Sequence, residues 1–290
     1  MKLIIAVIAA CIVVIGGVAI IKSSFITIKG KQYFKYMTEL DMRSKELTDS
    51  DIELLKDFKN LTVLNLSSNN ITDITPLMSL KKLTELHLND NNITDITFLK
   101  SLTNLTYLNL RKNSITDITP VTSLTKLDNL DLSYNSITDI TPLMSLTKLT
   151  ELDLGSNKIT DFTILKSLTN LTWLNLNSND IIDITLLTSL TNLTCLSLNN
   201  NDIIDITPLT SLTNLTWLSL NNNDIIDITP LASLTKLTWL ELINISITDI
   251  APLMPLTNLT SLHLGKNNII DSDIQKLNDA LPNCYITQFD

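Results

Sequence analysis

The chain has 290 residues, of which 44% are apolar, enough to bury a core in one or two domains, so it is not a disordered tail. A net charge of −9 and a pI near 4.7 argue against a nucleic-acid partner, because phosphate contacts depend on clustered Lys and Arg. Five Gly and eight Pro are few for a chain of many turns, so another residue type must shape them.

In chain order, the first element is an uncharged apolar run from Leu3 to Ile21, closed by Lys22. As a helix it would span about 28 Å, close to the hydrocarbon thickness of a bilayer. No small-residue cleavage site follows it, so a retained single-pass anchor over residues 1–22 is favoured over a cleaved signal peptide. A buried soluble helix fits poorly, since every face is apolar. Ile8-Ala9-Ala10-Cys11 also resembles a bacterial lipoprotein processing site, with a short apolar stretch before it. Lys2 and the amino terminus oppose Lys22, Lys29, Lys31 and Lys35; taken alone, this charge balance leans toward a cytoplasmic repeat domain. Residues 23–36 read as a short juxtamembrane strand or hairpin, and residues 37–60 as a capping unit.

From Leu61 to Asn258 the sequence divides into nine units of 22 residues without an insertion, and a tenth unit and cap occupy residues 259–290. A fixed period of this size means a solenoid. Counting each unit from its first Leu, apolar residues fill slots 1, 4, 6, 11, 14, 17 and 20, as at Leu215, Leu218, Leu220, Ile225, Ile228, Leu231 and Leu234. Slots 4 and 6 alternate with polar neighbours, the period of a strand with one buried face.

The wording L-x-x-L-x-L-x-x-N-x-I is that of a leucine-rich repeat. The "ITDITPL" version resembles the 22-residue class shared by bacterial internalins and by intracellular SDS22-type phosphatase regulators, over residues 37–290. The resemblance implies an α/β fold: a right-handed solenoid with a parallel sheet on its concave face and short 3₁₀ or irregular turns on its convex face, here preceded by one apolar helix. It also implies protein binding.

Within the unit, the slot-9 Asn, such as Asn69, Asn135 or Asn223, is predicted to turn the chain out of the strand while its amide satisfies backbone groups, doing the work of a glycine. The slot-13 Asp, present from Asp73 to Asp271, is predicted to cap a 3₁₀ turn; that role leaves no need for a cation site. Ile245 stands where one ladder Asn belongs, which predicts a local kink or a bound water. Asp49-Ser50-Asp51-Ile52 and Asp271-Ser272-Asp273-Ile274 correspond in the two caps, the first cap carries two extra residues that allow a fuller helix, and "LPNCYI" supplies a last edge strand.

Slot 3 is a strand position facing out of the concave sheet. It lines up Trp173, Cys195, Trp217 and Trp239, with Tyr107 further along, and Glu85, Asp131, Glu151, Asp153 and Glu241 share the face. Tryptophan is enriched among interface hot spots, so these residues form the candidate surface for a protein or peptide of basic or amphipathic character. Duplication of a permissive slot is the competing explanation, and repeats 7 and 8 are nearly identical.

Catalytic constellations are missing. His87 and His263 lie eight units apart, about 38 Å along the sheet, too far to share a metal. Phosphate loops, nucleophile elbows and metal-spaced cysteine pairs do not occur. Cys11, Cys195 and Cys284 are too far apart to be bridged, and Cys195 lacks a nearby His to activate it. Asn-Leu-Thr sequons at Asn60, Asn104, Asn170, Asn192, Asn214 and Asn258 arise from the repeat itself. The expectation is a non-enzymatic protein-binding scaffold, held to a membrane through residues 3–21 and facing outward, with no cofactor, metal, nucleic acid or small-molecule substrate. An intracellular regulatory subunit of the SDS22 type is the alternative.

Overall fold

The computed structural model describes residues 14–15, 18–19 and 24–288. Twelve strands, from Glu39–Asp41 to Tyr285–Thr287, form one parallel sheet in unbroken chain order. Within the repeats each residue pairs with its counterpart 22 positions on, as Trp217 does with Trp239. At both ends the step is two residues longer, Glu39 pairing with Val63 and Ser261 with Tyr285. The extra length is spent on helices opposite the sheet, Asp49–Ile52 continued by Glu53–Asp57 in one cap and Asp271–Ala280 in the other.

Alternation decides which way each strand faces. Leu218 and Leu220 are fully buried, and their counterparts in every repeat join one continuous core. Slots 3 and 5 therefore face out of the sheet. On the opposite side the chain tightens into 3₁₀ turns such as Thr207–Ser211, whose proline sits near the start, where no donor is needed. Asp205 Oδ1 accepts the Thr207 N–H at 2.8 Å, and the same bond recurs at Thr75, Thr97, Thr119, Thr141, Thr163, Thr185, Thr229 and Ala251. The capping position itself is the slot-14 residue, so each Asp closes an Asx turn one residue ahead of it.

The asparagine ladder holds successive repeats in register. Asn135 Nδ2 donates to the Leu132 and Ser133 carbonyls of its own repeat at 3.0 and 3.2 Å and to Leu110 of the preceding one at 3.1 Å. Its Oδ1 accepts the Ile115 N–H at 3.0 Å. The glycine-like conformation predicted for this residue belongs instead to its neighbour. Slot 8, occupied by residues as different as Tyr134, Lys112 and Asn222, is left-handed with φ of 53–56° in all ten repeats. Such a residue costs of order 1 kcal/mol, and the slot-9 amide bonds offset that cost.

At Ile245 the chain takes a second left-handed residue, Ser246 at φ 61°, and the Ile245 N–H turns to Asn267 Oδ1 at 3.1 Å. Here the predicted kink is present. Repeat 6 bends in the same way at Asp180, φ 56°, although it has its asparagine, so a missing Asn is not the sole cause. In that bend Asn179 Oδ1 is buried without a partner.

Two further ladders were not read from the sequence. Slot-2 threonine hydroxyls donate to the matching threonine carbonyl one repeat back, as Thr216 does to Thr194 at 3.1 Å. The sequon asparagines Asn104, Asn170, Asn192, Asn214 and Asn258 donate to a carbonyl of the preceding repeat.

The apolar helix expected over residues 3–21 lies almost wholly outside the described residues. Inside that span Val14–Ile15 pairs antiparallel with Val18–Ala19, two short strands in place of a helix. Among the described residues no helix is long and apolar enough to cross a membrane. The juxtamembrane hairpin is present: Phe25–Ile28 pairs with Lys31–Phe34 around Lys29 and Gly30, both at positive φ, and Ile28 is buried in the first cap.

Candidate protein-binding face

The register of the sheet sets Trp173 beside Cys195, Cys195 beside Trp217, and Trp217 beside Trp239. None of the four belongs to the buried core. Trp239 is 36% exposed, and the other three are half-buried among their neighbours on the face. With strands about 4.8 Å apart, the file from Trp173 to Trp239 extends about 14 Å.

Trp239 is held in place. Its Nε1–H donates to Glu241 Oε1 at 2.9 Å, while Glu241 Oε2 accepts from Ser219 Oγ at 2.6 Å and Asn221 Nδ2 at 2.8 Å. On its far side the ring meets His263 at 5.0 Å between centroids, and the two His263 nitrogens are engaged by Ser261 and Thr287 at 2.9 Å each. Sequence reasoning placed His263 at slot 5 but used that only to set its distance from His87. The signal that could have found it is its slot-5 position in the repeat after Trp239, which makes the two diagonal neighbours.

The acidic residues gather in a second place. Asp131 and Asp153 are paired positions on adjacent strands, and with Glu151, Tyr107 and Trp173 they line a hollow of about 180 Å³. Asp153 is only 9% exposed, with Oδ1 accepting the Gly155 N–H at 2.9 Å. Burial, reinforced by the neighbouring Asp131 charge, pushes its carboxyl up to about 6. Asp131 is also raised by burial, against the pull of bonds from the Ser133 N–H at 2.9 Å and Oγ at 2.6 Å. Glu151 accepts from the Asn129 amide. A larger hollow of about 440 Å³ nearer the first cap is lined by Glu39, Asp41, Glu85 and His87 among others, and was not anticipated. There His87 bonds Glu85 at 2.7 Å and meets Tyr107 at 4.8 Å.

The residues singled out from the sequence thus share one sheet face; Glu85 lines the larger hollow, and the other nine form two groups: Tyr107, Asp131, Glu151, Asp153 and Trp173 around the smaller hollow, and Cys195, Trp217, Trp239 and Glu241 beyond it. Among the described residues no group of three His, Cys, Asp or Glu could hold a metal. Cys195 and Cys284 are free thiols, and burial pushes Cys284 up to about 11.

Family models for leucine-rich repeats match residues 59–101, 81–123, 125–167 and 169–211, and a further one matches 256–277. The chain is a leucine-rich repeat protein. It is of the internalin-like class: an internalin (inlF) from Listeria monocytogenes is 34% identical over 89% of this chain and 83% of its own, with a TM-score of 0.75. Internalin C2 from the same organism is 39% identical over 64% of this chain and 82% of its own, with a TM-score of 0.62. The ectodomain of the Arabidopsis receptor kinase HAESA, solved with a peptide hormone, shares the fold at 22% identity over 91% of this chain and 47% of its own, with a TM-score of 0.70. No curated protein matches the chain.

Proposed function

We propose that this leucine-rich repeat protein is a non-enzymatic recognition module whose concave face docks a protein or peptide. The observation that carries the reading is the tryptophan file: three indoles and a thiol in register and outside the leucine core. Trp239 is already oriented by Glu241, so little side-chain entropy remains to be lost when a partner covers it.

The hollow supports a partner with a cationic side chain. Asp131 and Asp153 crowd two carboxyl groups into a half-closed site, and a cationic side chain entering between Tyr107 and Trp173 would relieve their repulsion while stacking on aromatic walls. The favoured partner is therefore extended or amphipathic, with a Lys or Arg reaching the hollow and an apolar segment over Trp217 and Trp239. The neighbours agree in kind, since the HAESA structure holds a peptide on the same fold.

The reading extends to membrane attachment through residues 3–21 with the repeats facing outward, supported by the length of the apolar run and the internalin likeness. Protease shaving of intact cells tests it: the repeats should be cut outside, and full protection would favour the cytoplasmic regulator instead. Docking itself is tested by isolating a partner with the intact protein and titrating it against Trp217→Ala/Trp239→Ala.

A further inference from the structure

Repeats 6–8 depart from the others away from the concave face. Slot 12, between the buried slot-11 residue and the slot-13 Asp, is Thr in repeats 1–5 and 9, for example Thr138 and Thr248, but Ile182, Ile204 and Ile226 in repeats 6–8; the last unit also has Ile270 there, set apart from the three by Thr248. These isoleucines are 64%, 52% and 80% exposed. The same repeats introduce Asp180, Asp202 and Asp224 at slot 10, where repeats 1–5 and 9 carry Asn, Ser or Lys. With the slot-13 carboxylates on the other side, the flank of three successive repeats becomes an apolar stripe between two acidic rows. All are exposed, and among the described residues none of these carboxylates forms an ion pair. An exposed apolar run with a charged border is what an interaction site looks like.

A surface of the opposite kind lies on the amino-terminal hairpin. Phe25, Phe34 and Tyr36 are 40%, 39% and 52% exposed and cluster with centroids 5.7 and 5.3 Å apart. Lys31 and Lys35 flank them, and no acidic residue occurs from Lys22 to Thr38 in a chain of net charge −9. This hairpin cannot reach its own chain's stripe. Ile28 is buried against the first cap, Lys29 bonds Asp51 at 3.3 Å, and at least six strand spacings, about 29 Å, separate that cap from repeat 6.

We propose that the occupant of the stripe is a second copy of this chain, its Phe25–Tyr36 hairpin laid over Ile182, Ile204 and Ile226 with Lys31 and Lys35 against the slot-10 aspartates. Each copy carries one patch of each kind, so the contact closes reciprocally in a two-fold dimer or repeats head-to-tail in a row. This interface is separate from the concave face and does not depend on what docks there.

The test uses the full chain held in amphipol, as an equal mixture of isotope-heavy and light protein, with zero-length carbodiimide coupling read by mass spectrometry. The expected result is heavy–light links joining Lys31 or Lys35 to Asp180, Asp202 or Asp224. They should fall about tenfold in about 0.5 M salt, where charge pairing is screened. They should be lost in Ile182→Thr/Ile204→Thr/Ile226→Thr, a variant that only restores the residue found in sister repeats and whose folding circular dichroism verifies. The proposal is overturned if mixed-isotope links at these sites are missing, if they persist unchanged in the triple variant, or if association proceeds through other residues only.

Discussion

Replacing Asn135 by alanine removes four hydrogen bonds, but the losses are unequal. Each carbonyl that Asn135 serves keeps another donor: Leu110 keeps Asn113 Nδ2 at 3.0 Å, Leu132 keeps Asn157 Nδ2 at 3.1 Å and Ser133 keeps the Lys112 N–H at 2.8 Å. The Ile115 N–H has no such reserve, because Asn135 Oδ1 is its acceptor and Ile115 is fully buried. Orphaning a buried donor costs about 1–3 kcal/mol, and losing one of two donors on three carbonyls adds a smaller amount, so the substitution should cost about 2–4 kcal/mol. Urea unfolding followed by circular dichroism measures the total, with midpoints compared directly because a long repeat array need not unfold in one step. Hydrogen exchange then locates it: the Ile115 amide should lose protection more than the amides of repeats 7 and 8. A cost below about 0.5 kcal/mol with Ile115 still protected would show that the ladder does not carry the register and that apolar stacking alone does.

Other consequences follow from charge and the caps. Asp153 has a folded pKa of about 6, above the unfolded value, so it binds its proton more tightly when folded and stability is lost as pH rises from about 4 to 6. Asp153→Asn should therefore raise stability at pH 7 by about 1–3 kcal/mol and leave pH 4 nearly unchanged; a flat difference across pH in thermal unfolding would refute the raised carboxyl. The turn aspartates behave oppositely. The Thr141 hydroxyl and N–H hold Asp139 below the usual range, so its contribution is present near neutrality and lost as pH falls through the folded value. Asp139→Ala should lower the melting temperature at pH 7 and have a shrinking effect toward pH 2; equal effects at both would contradict this. Leu277→Ala, in the fully buried position of the last helix, should cost about 2–5 kcal/mol and release the carboxy-terminal repeats first, seen as early loss of amide protection around Leu264.

The fold was legible because every core contact in a solenoid is a nearest-neighbour contact, so the period of 22 and the apolar slots fix the strand, the turn and the register together. The longer step at both ends could be read from Asp49 and Asp271 heading matching helices. Direction was legible too: slot 3 lies between buried leucines, and Trp217 and Trp239 indeed stand outside the core. The left-handed slot was hidden, because Tyr134, Lys112 and Ser156 share no feature that announces a positive φ. The site's second level was hidden for a related reason. The Trp239–Glu241–His263 arrangement and the buried Asp131–Asp153 pair depend on side chains crossing between strands, where slot identity gives adjacency but not rotamer or burial. Residues 3–21 carried a clear hydropathy signal but no repeat to constrain it, and within them Val14–Ile15 pairs with Val18–Ala19.

The concave-face reading stands or falls on one titration. A purified partner should bind the Trp217→Ala/Trp239→Ala protein more weakly than the unaltered one by at least about 2 kcal/mol, roughly thirtyfold, with the unfolding midpoint unmoved. Equal affinity for both proteins would remove the tryptophan file from the interface, and a variant that no longer folds would show the indoles to be structural.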